Sequence, residues 1–368
     1  VSAPLQLGVL LGDDIGLEVV PEAVKVVDAA ARATALSIAW TELPIGRRAL
    51  DQLGTTLPDG TLERLDALDG WILGPIGHRE YPKIPGAVNP HPILRKHFDL
   101  FANIRPAKSY PTLPSVHQNV DLVIVRENNE GFQPDRNVVA GSGEFRPTND
   151  VTISVRVITR AGSSKVARAA FELARTRRKQ LAVIHKETVF KLGCGMFAEE
   201  CRALAAEYPD VAYEEIIVDT FAMRLVMKPQ AYDVIVTTNM FGDILSDEAA
   251  GLVGGLGMAP ALSAGPRHAM AQATHGSAPD IAGRNIANPY AMIVSAQMLL
   301  DWLGRTKSEP RATAAAHAIE RAVDATIAAR DALTPDLGGT ATTVAMGDAI
   351  AARVTAGAAA RASGGDAG

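Results

Sequence analysis

Short apolar runs at residues 5–11, 68–74, 120–127, 181–186 and 233–239 alternate with longer stretches of helical periodicity, such as 17–35 and 164–177. This alternation constrains the chain most. Each run is apolar at both parities, so it reads as a strand buried on both faces, and the intervening helices are what cover it. An α/β architecture is expected. Residues 151–158 differ, because Val151, Ile153, Val155 and Val157 alternate with Thr152, Ser154 and Arg156. That pattern predicts a half-buried, antiparallel strand.

The 368 residues amount to more than two domains of ~150. A Pro- and His-rich zone at 78–118 and a Gly- and Pro-rich zone at 251–283 bracket a middle segment. The expected layout is a discontinuous domain of residues 1–100 and 254–368 around an inserted domain of 101–253. The stretch 288–303 is apolar nearly all round, which predicts a helix buried in a core or a subunit interface. Residues 355–368 have no periodic face and are expected to fray.

Thirty-six basic residues against 41 acidic ones give a net charge of −5. Binding of nucleic acid or an anionic membrane needs basic excess, so neither is expected. Cys194 and Cys201 are too few for a disulfide framework and read as small buried apolar residues. With no run of ~18 apolar residues and no basic, cleavable start, the expected location is the cytoplasm.

Asp243 and Asp247 lie four apart at the start of a helical run, so their carboxylates share a face. Such a pair suits Mg2+ or Mn2+, and equally an acidic helix start that matches the dipole. Asp219, after an apolar run, is a candidate third ligand or an N-cap. Arg95, Arg105 and Arg126 could converge at strand ends and grip a small dicarboxylate bidentately; singly, each reads as a surface arginine. Lys186 follows a buried run and is placed to have a lowered pKa and carry a proton. The loop 274–289 has small residues that let a ligand approach the backbone, and Asp280 could accept from ribose hydroxyls while repelling a 2′-phosphate, favouring NAD. "GGLGMAP" does not join strand to helix as a dinucleotide signature must, and reads as a turn. These residues alone reach a metal-dependent enzyme acting on small anions.

Taken in order, "LLGDDIGLEVV", "LRKHFDLFANIRP", "VRENNEGF", "VIHKETVFKLGCGMF", "NMFGDILSDEAAG", "HGSAPDIAGRNIANP" and "TPDLGGTATT" resemble the β-decarboxylating dehydrogenases, the family of isopropylmalate, isocitrate, homoisocitrate, tartrate and D-malate dehydrogenases. The resemblance spans nearly the whole chain and is strongest in kind to 3-isopropylmalate dehydrogenase-like proteins. It implies a two-domain fold that is not a Rossmann fold, with NAD in the larger, discontinuous domain and the middle domain supplying metal ligands and dimer interface. Arg95, Arg105 and Arg126 would bind substrate carboxylates. Asp243 and Asp247 would hold Mg2+ or Mn2+, with Asp219 and Lys186 reaching in from the partner of a homodimer; a tetramer stays open. His275, Gly276, Ser277, Ala278, Asp280, Ile281 and Asn288 would bind the adenosine half of the cofactor. His91 lies in the segment that reads the C3 substituent, and in place of the usual leucines there it allows a polar or smaller group.

Some positions depart from the family pattern. Gln133 stands where a tyrosine protonates the enolate carbon, Glu187-Thr188 follow Lys186 where Ala-Asn is usual, Asp14 replaces a glycine, and Gln272 replaces a glutamate. Three readings follow. One is an NAD- and metal-dependent decarboxylating dehydrogenase of a 3-substituted malate. Another is a tartrate-, D-malate- or isocitrate-type enzyme with altered decarboxylation because of Gln133, and the third a non-catalytic regulatory subunit.

Overall fold

The five apolar runs all become strands of one sheet. The computed structural model describes residues 3–132 and 143–364. The first part of the chain supplies β1 (Leu5–Leu10), β2 (Ile38–Glu42), β3 (Gly70–Leu73) and β4 (Ala102–Lys108), with α1 (Gly16–Ala33), α2 (Gly46–Leu53), α3 (Thr61–Asp66) and α4 (Pro90–His97). The middle contributes β5 (Asp121–Glu127), β6 (Glu144–Thr148), β7 (Val151–Ser154), β8 (Gln180–His185), β9 (Ala212–Ile217) and β10 (Val234–Thr237). Its helices are α5 (Arg160–Arg175), α6 (Gly193–Ala205), α7 (Val218–Met227) and α8 (Asn239–Val253). The last part adds β11 (Leu262–Ala264), β12 (Ala269–Ala271), α9 (Tyr290–Thr306), α10 (Pro310–Ala329) and α11 (Thr343–Gly364).

Ten strands form one continuous sheet in the order β2-β1-β3-β12-β11-β4-β5-β10-β8-β9. Its two flanks are parallel: β2-β1-β3-β12 on one side and β5-β10-β8-β9 on the other. An antiparallel seam, β12-β11-β4-β5, joins them. On the second flank, successive residues point to opposite faces. Val125, Val183 and Val236 meet Phe171 and Phe197 on one face, while Ile124, Ile184 and Ile235 meet Phe221 and Leu245 on the other. Burying each such side chain is worth roughly 1.5–3 kcal/mol. Another core draws on both chain ends, packing α1 through Val19, Val20 and Val26 against Ile293, Leu299 and Leu300 of α9, Ile319 of α10 and Ile350 of α11. The all-round apolar pattern of α9 is thus explained by its central position in this core. Both cysteines are buried on α6, and "GGLGMAP" forms a turn and one 3-10 segment.

Two expectations need correction. Residues 151–154 pair antiparallel with β6, but both strands of this hairpin are exposed in the single chain, including Phe145, Val151 and Ile153. Residues after 354 do not fray at once: α11 continues to Gly364. Its Ala-rich sequence has the helix propensity to continue that far.

Candidate active site

Three arginines from three elements converge on one helix. Arg126 is the penultimate residue of β5, Arg105 lies on β4, Arg95 lies on α4, and all three are buried. The α8 helix approaches β5 closely because Gly242 carries no Cβ; one added there would lie 2.7 Å from Cβ and Cγ of Arg126. From α8, Asn239 Oδ1 accepts from Nε and Nη2 of Arg126 at 3.1 and 2.6 Å, and Asp243 accepts from Nη1. Arg105 Nη1 donates to Asp243 Oδ1 at 3.2 Å and to Ser246 Oγ at 2.7 Å, and lies 3.8 Å from Asp247 Oδ1. Burial alone would raise the Asp243 carboxyl, but Arg126, Arg105 and Arg95 together hold it below the ordinary carboxylate range. At Asp247 burial prevails over Arg105, and with the neighbouring Asp243 the carboxyl is pushed up. Burial also lowers the Arg105 guanidinium.

Arg95 reaches a further pair. Its Nη2 donates to Gln272 Oε1 at 3.2 Å, and Gln272 Nε2 in turn contacts His91 Nε2. Asn89 caps α4 by accepting from the His91 backbone N–H at 3.1 Å, with Pro90 at the first helical position.

Lys186 and Asp219 form a separate pair. Lys186 follows β8, Asp219 lies in the first turn of α7, and the ammonium donates to Asp219 Oδ1. That bond holds the Asp219 carboxyl below its ordinary value. Among the described residues, the group of three metal-capable side chains with ligand atoms within 4.8 Å of one another is His185, Glu187 and Glu215. Asp219 therefore does not join Asp243 and Asp247 within one chain. Arg202 is bonded to both Glu187 and Glu215, so that cluster is a neutralised ion-pair network.

The loop after β12 docks beside the start of α1, where the Ser277 carbonyl accepts from the Ile15 N–H at 3.1 Å. Nε2 of His275 is out of contact with solvent and has no hydrogen-bond partner, and a Cβ added at Gly276 would meet only open space. Burial lowers the His275 pKa, so its ring is held neutral. Ala278 adopts φ +45°, and Asp280 is exposed. Ile281 packs against the core of the chain ends. Asn288 is engaged within the protein: its Nδ2 donates to Asp336 Oδ2 at 2.9 Å, and its Oδ1 accepts from the Tyr290 N–H that begins α9. Gln133 lies outside the described residues.

The model of the family described as "Isocitrate/isopropylmalate dehydrogenase" matches residues 6–350. The chain belongs to this family. It is 43% identical over 340 residues to the isocitrate/homoisocitrate dehydrogenase of Thermus thermophilus, covering 92% of this chain and 95% of that one. With the 3-isopropylmalate dehydrogenase of Archaeoglobus fulgidus it shares 40% identity over 348 residues, covering 93% and 97%. The crystal structure of isocitrate dehydrogenase from Methylococcus capsulatus superposes with a TM-score of 0.83 at 39% identity, covering 95% of this chain and 99% of that one. As an isocitrate/isopropylmalate dehydrogenase family member, the protein is an oxidoreductase acting on a CH–OH group, and its reaction class is metal-dependent oxidative decarboxylation of a hydroxy acid with NAD or NADP. No helix among the described residues is long and apolar enough to cross a membrane.

Sequence reasoning missed two buried carboxylates that follow Arg126 in this family member. Glu127, next to Arg126, accepts from the N–H groups of Asn129 and Glu130 at 2.7 and 2.9 Å. Burial pushes its carboxyl up to about 7 despite those bonds. Glu130 accepts from the N–H and hydroxyl of Thr159 at 2.9 and 2.8 Å, and Thr159 caps α5. The available signal was two glutamates, three apart, just after a buried run, a spacing that suits local backbone capping.

Proposed function

We propose that the protein oxidatively decarboxylates a 3-substituted malate with NAD and Mg2+ or Mn2+. The observation that carries this reading is the convergence of Arg95, Arg105 and Arg126 on Asp243. Buried guanidinium groups arranged around one carboxylate suit a small dicarboxylate that enters beside a cation. The donor set fits a hard divalent ion, since Asp243 and Asp247 offer carboxylate oxygens on side chains 46% and 54% exposed. The loop at 275–281 fits a dinucleotide, with a buried imidazole nitrogen awaiting a partner and open space beside Gly276. The Asp280 carboxylate disfavours a 2′-phosphate and so favours NAD.

In this reading the arginines bind the substrate carboxylates and Lys186 takes up the proton of the C2 hydroxyl. When bound, the metal would polarise that hydroxyl and the nicotinamide would accept the hydride from C2. The carbon–carboxylate bond at C3 then breaks, CO2 leaves, and C3 gains a proton. Asp280, Ile281 and Ser277 shape the nucleotide loop, while Asn288 contributes through the position of α9.

The working unit in this proposal is a homodimer in which Asp219 and Lys186 of one chain complete the Asp243–Asp247 site of the other. Two observations support it. Asp219 lies apart from that pair within one chain, and α7 and α8 leave Met223, Val226, Met227 and Ile244 exposed, a set of apolar residues that a second copy would cover. The inserted part, residues 101–253, would then be the dimerisation domain. Assaying isocitrate, homoisocitrate, 3-isopropylmalate, D-malate and tartrate with NAD and NADP, with and without Mn2+, tests the reading. Reduction of NAD by at least one of them in a Mn2+-dependent manner is expected. Absence of reduction across the whole set would overturn it.

A further inference from the structure

The antiparallel seam lays a row of polar side chains on the face of the sheet that carries Arg105. Ser263 of β11 pairs with Asn103 of β4, so the two lie side by side, and Arg105, two residues beyond Asn103, shares their face. All three are buried. Arg105 Nε donates to Asn103 Oδ1 at 2.9 Å, and Asn103 Nδ2 donates to Ser263 Oγ at 3.1 Å. The same hydroxyl accepts from Asn128 Nδ2 at 3.3 Å, so it ties residues from three strands or strand ends together.

These bonds divide the guanidinium of Arg105. Nε is held by Asn103, and Nη1 by Asp243 and Ser246 of α8. Nη2 has no hydrogen-bond partner among the described residues and is not sealed from solvent. It is the nitrogen of Arg105 left for an incoming anion. A guanidinium only donates, so it fixes the Asn103 amide with its carbonyl toward Arg105 and its NH2 toward Ser263. The acceptor at Nε is therefore neutral. A carboxylate in its place would add negative charge to a cluster that has to admit an anion.

We infer that Asn103 and Ser263 are positioning residues: they hold Arg105 by Nε so that Nη2 stays open, and so set the affinity for the substrate carboxylate without touching substrate. The hydrogen-bond assignment stands on the geometry alone; the effect on substrate rests on the proposed reaction. Without Ser263 Oγ, Asn103 Nδ2 would be left with Asn128 Oδ1 at 3.5 Å, and the amide would lose its anchor.

Two measurements on the full chain test it. In a 1H–15N spectrum of the arginine-labelled protein without ligands, the Nε–H signal lost in Arg105→Lys should be protected from exchange with water. Exchange should be at least about tenfold faster in Asn103→Leu and Ser263→Ala, and should stay slow in Asn103→Asp, which keeps an acceptor. A wild-type signal without protection, or one equally protected in the first two variants, would overturn the assignment. In steady-state kinetics with the malate that reduces NAD fastest, Asn103→Asp should raise the substrate KM by about tenfold or more and Ser263→Ala by about threefold, with kcat changed less and the KM for NAD unchanged. Unaltered substrate KM values, or parallel rises in both KM values, would overturn the positioning role and leave the proposed reaction intact. A protected Nε–H in a protein that oxidises none of the malates would overturn the reaction and the effect on substrate together, and leave the hydrogen-bond assignment standing.

Discussion

Arg126 and Asp243 join the central sheet to the helix that carries the candidate metal ligands: the guanidinium at the end of β5 is fully enclosed, and the carboxylate it binds on α8 is half open to solvent. The buried partner is thereby held by protein while the exposed one can still offer oxygen to a ligand. Asp243→Asn should therefore weaken activation by Mn2+ by about a hundredfold or more and leave the fold intact. Titrating the activity with Mn2+ after removal of metal by chelation checks this. Unchanged activation would remove Asp243 from the ligand set.

Lys186 faces Asp219 and not the arginine cluster of its own chain. If it carries the hydroxyl proton, Lys186→Met should lower kcat by about 10²- to 10⁴-fold with little change in Mn2+ dependence. A mixture of Lys186→Met and Asp243→Asn chains, unfolded and refolded together, should recover part of the activity, because mixed dimers would contain one intact site. A mixture no more active than its two components would contradict sharing of the site between chains.

Glu127 imposes a pH dependence on stability. Its carboxyl is raised by burial from 4.5 to about 7. The folded state thus binds the proton more tightly than the unfolded one. The associated stabilisation is complete below about 4.5 and is lost as pH rises through about 7, for a total of roughly 3 kcal/mol. Glu127→Gln cannot ionise, so its stability deficit relative to wild type should shrink over that range. Urea midpoints of both proteins at pH 5 and pH 8, taken as about those values on either side of the transition, report the difference. A constant or widening deficit would show that Glu127 is not the responsible group.

Asp14 occupies a left-handed backbone position, φ +50°, where the family resemblance would place glycine. An aspartate tolerates this conformation better than most residues but still at some cost. Asp14→Gly is expected to raise stability by about 0.5–1 kcal/mol, read from thermal unfolding. A lower melting temperature would mean that the Asp14 side chain contributes a contact that outweighs the strain.

Five strands of the parallel flanks, β1, β3, β5, β8 and β10, were legible in sequence as continuous apolar runs, while the edge strands β2 and β9 were not marked. Nor was the seam. The β4 strand contains Arg105, Pro106 and Lys108, and β11 and β12 have three residues each, so none has enough apolar length or alternation to stand out. Of the charges that obscure β4, Arg105 belongs to the site the strand carries, while Lys108 pairs with Asp324. Among the site residues, the aspartates on α8 were marked by helical spacing and Arg126 by its position near a strand end, whereas Arg95 lies on the α4 helix and Arg105 in the middle of β4, not at strand ends as expected. The roles of Asn103, Glu127 and Glu130 depend on partners brought together by tertiary structure, and spacing does not encode them. The exposed β6–β7 hairpin is a similar case: alternation predicted a covered face, and a single chain does not cover it.

Oxidative decarboxylation with a nicotinamide acceptor is the central claim, and the ratio of its two products tests it most directly. With the substrate that reduces NAD fastest, carbon-labelled at the departing carboxylate, CO2 and NADH should appear in equal amounts, and both should vanish on chelation of the metal. NADH without CO2 would contradict the decarboxylation step and assign to the protein a simple hydroxy-acid oxidation.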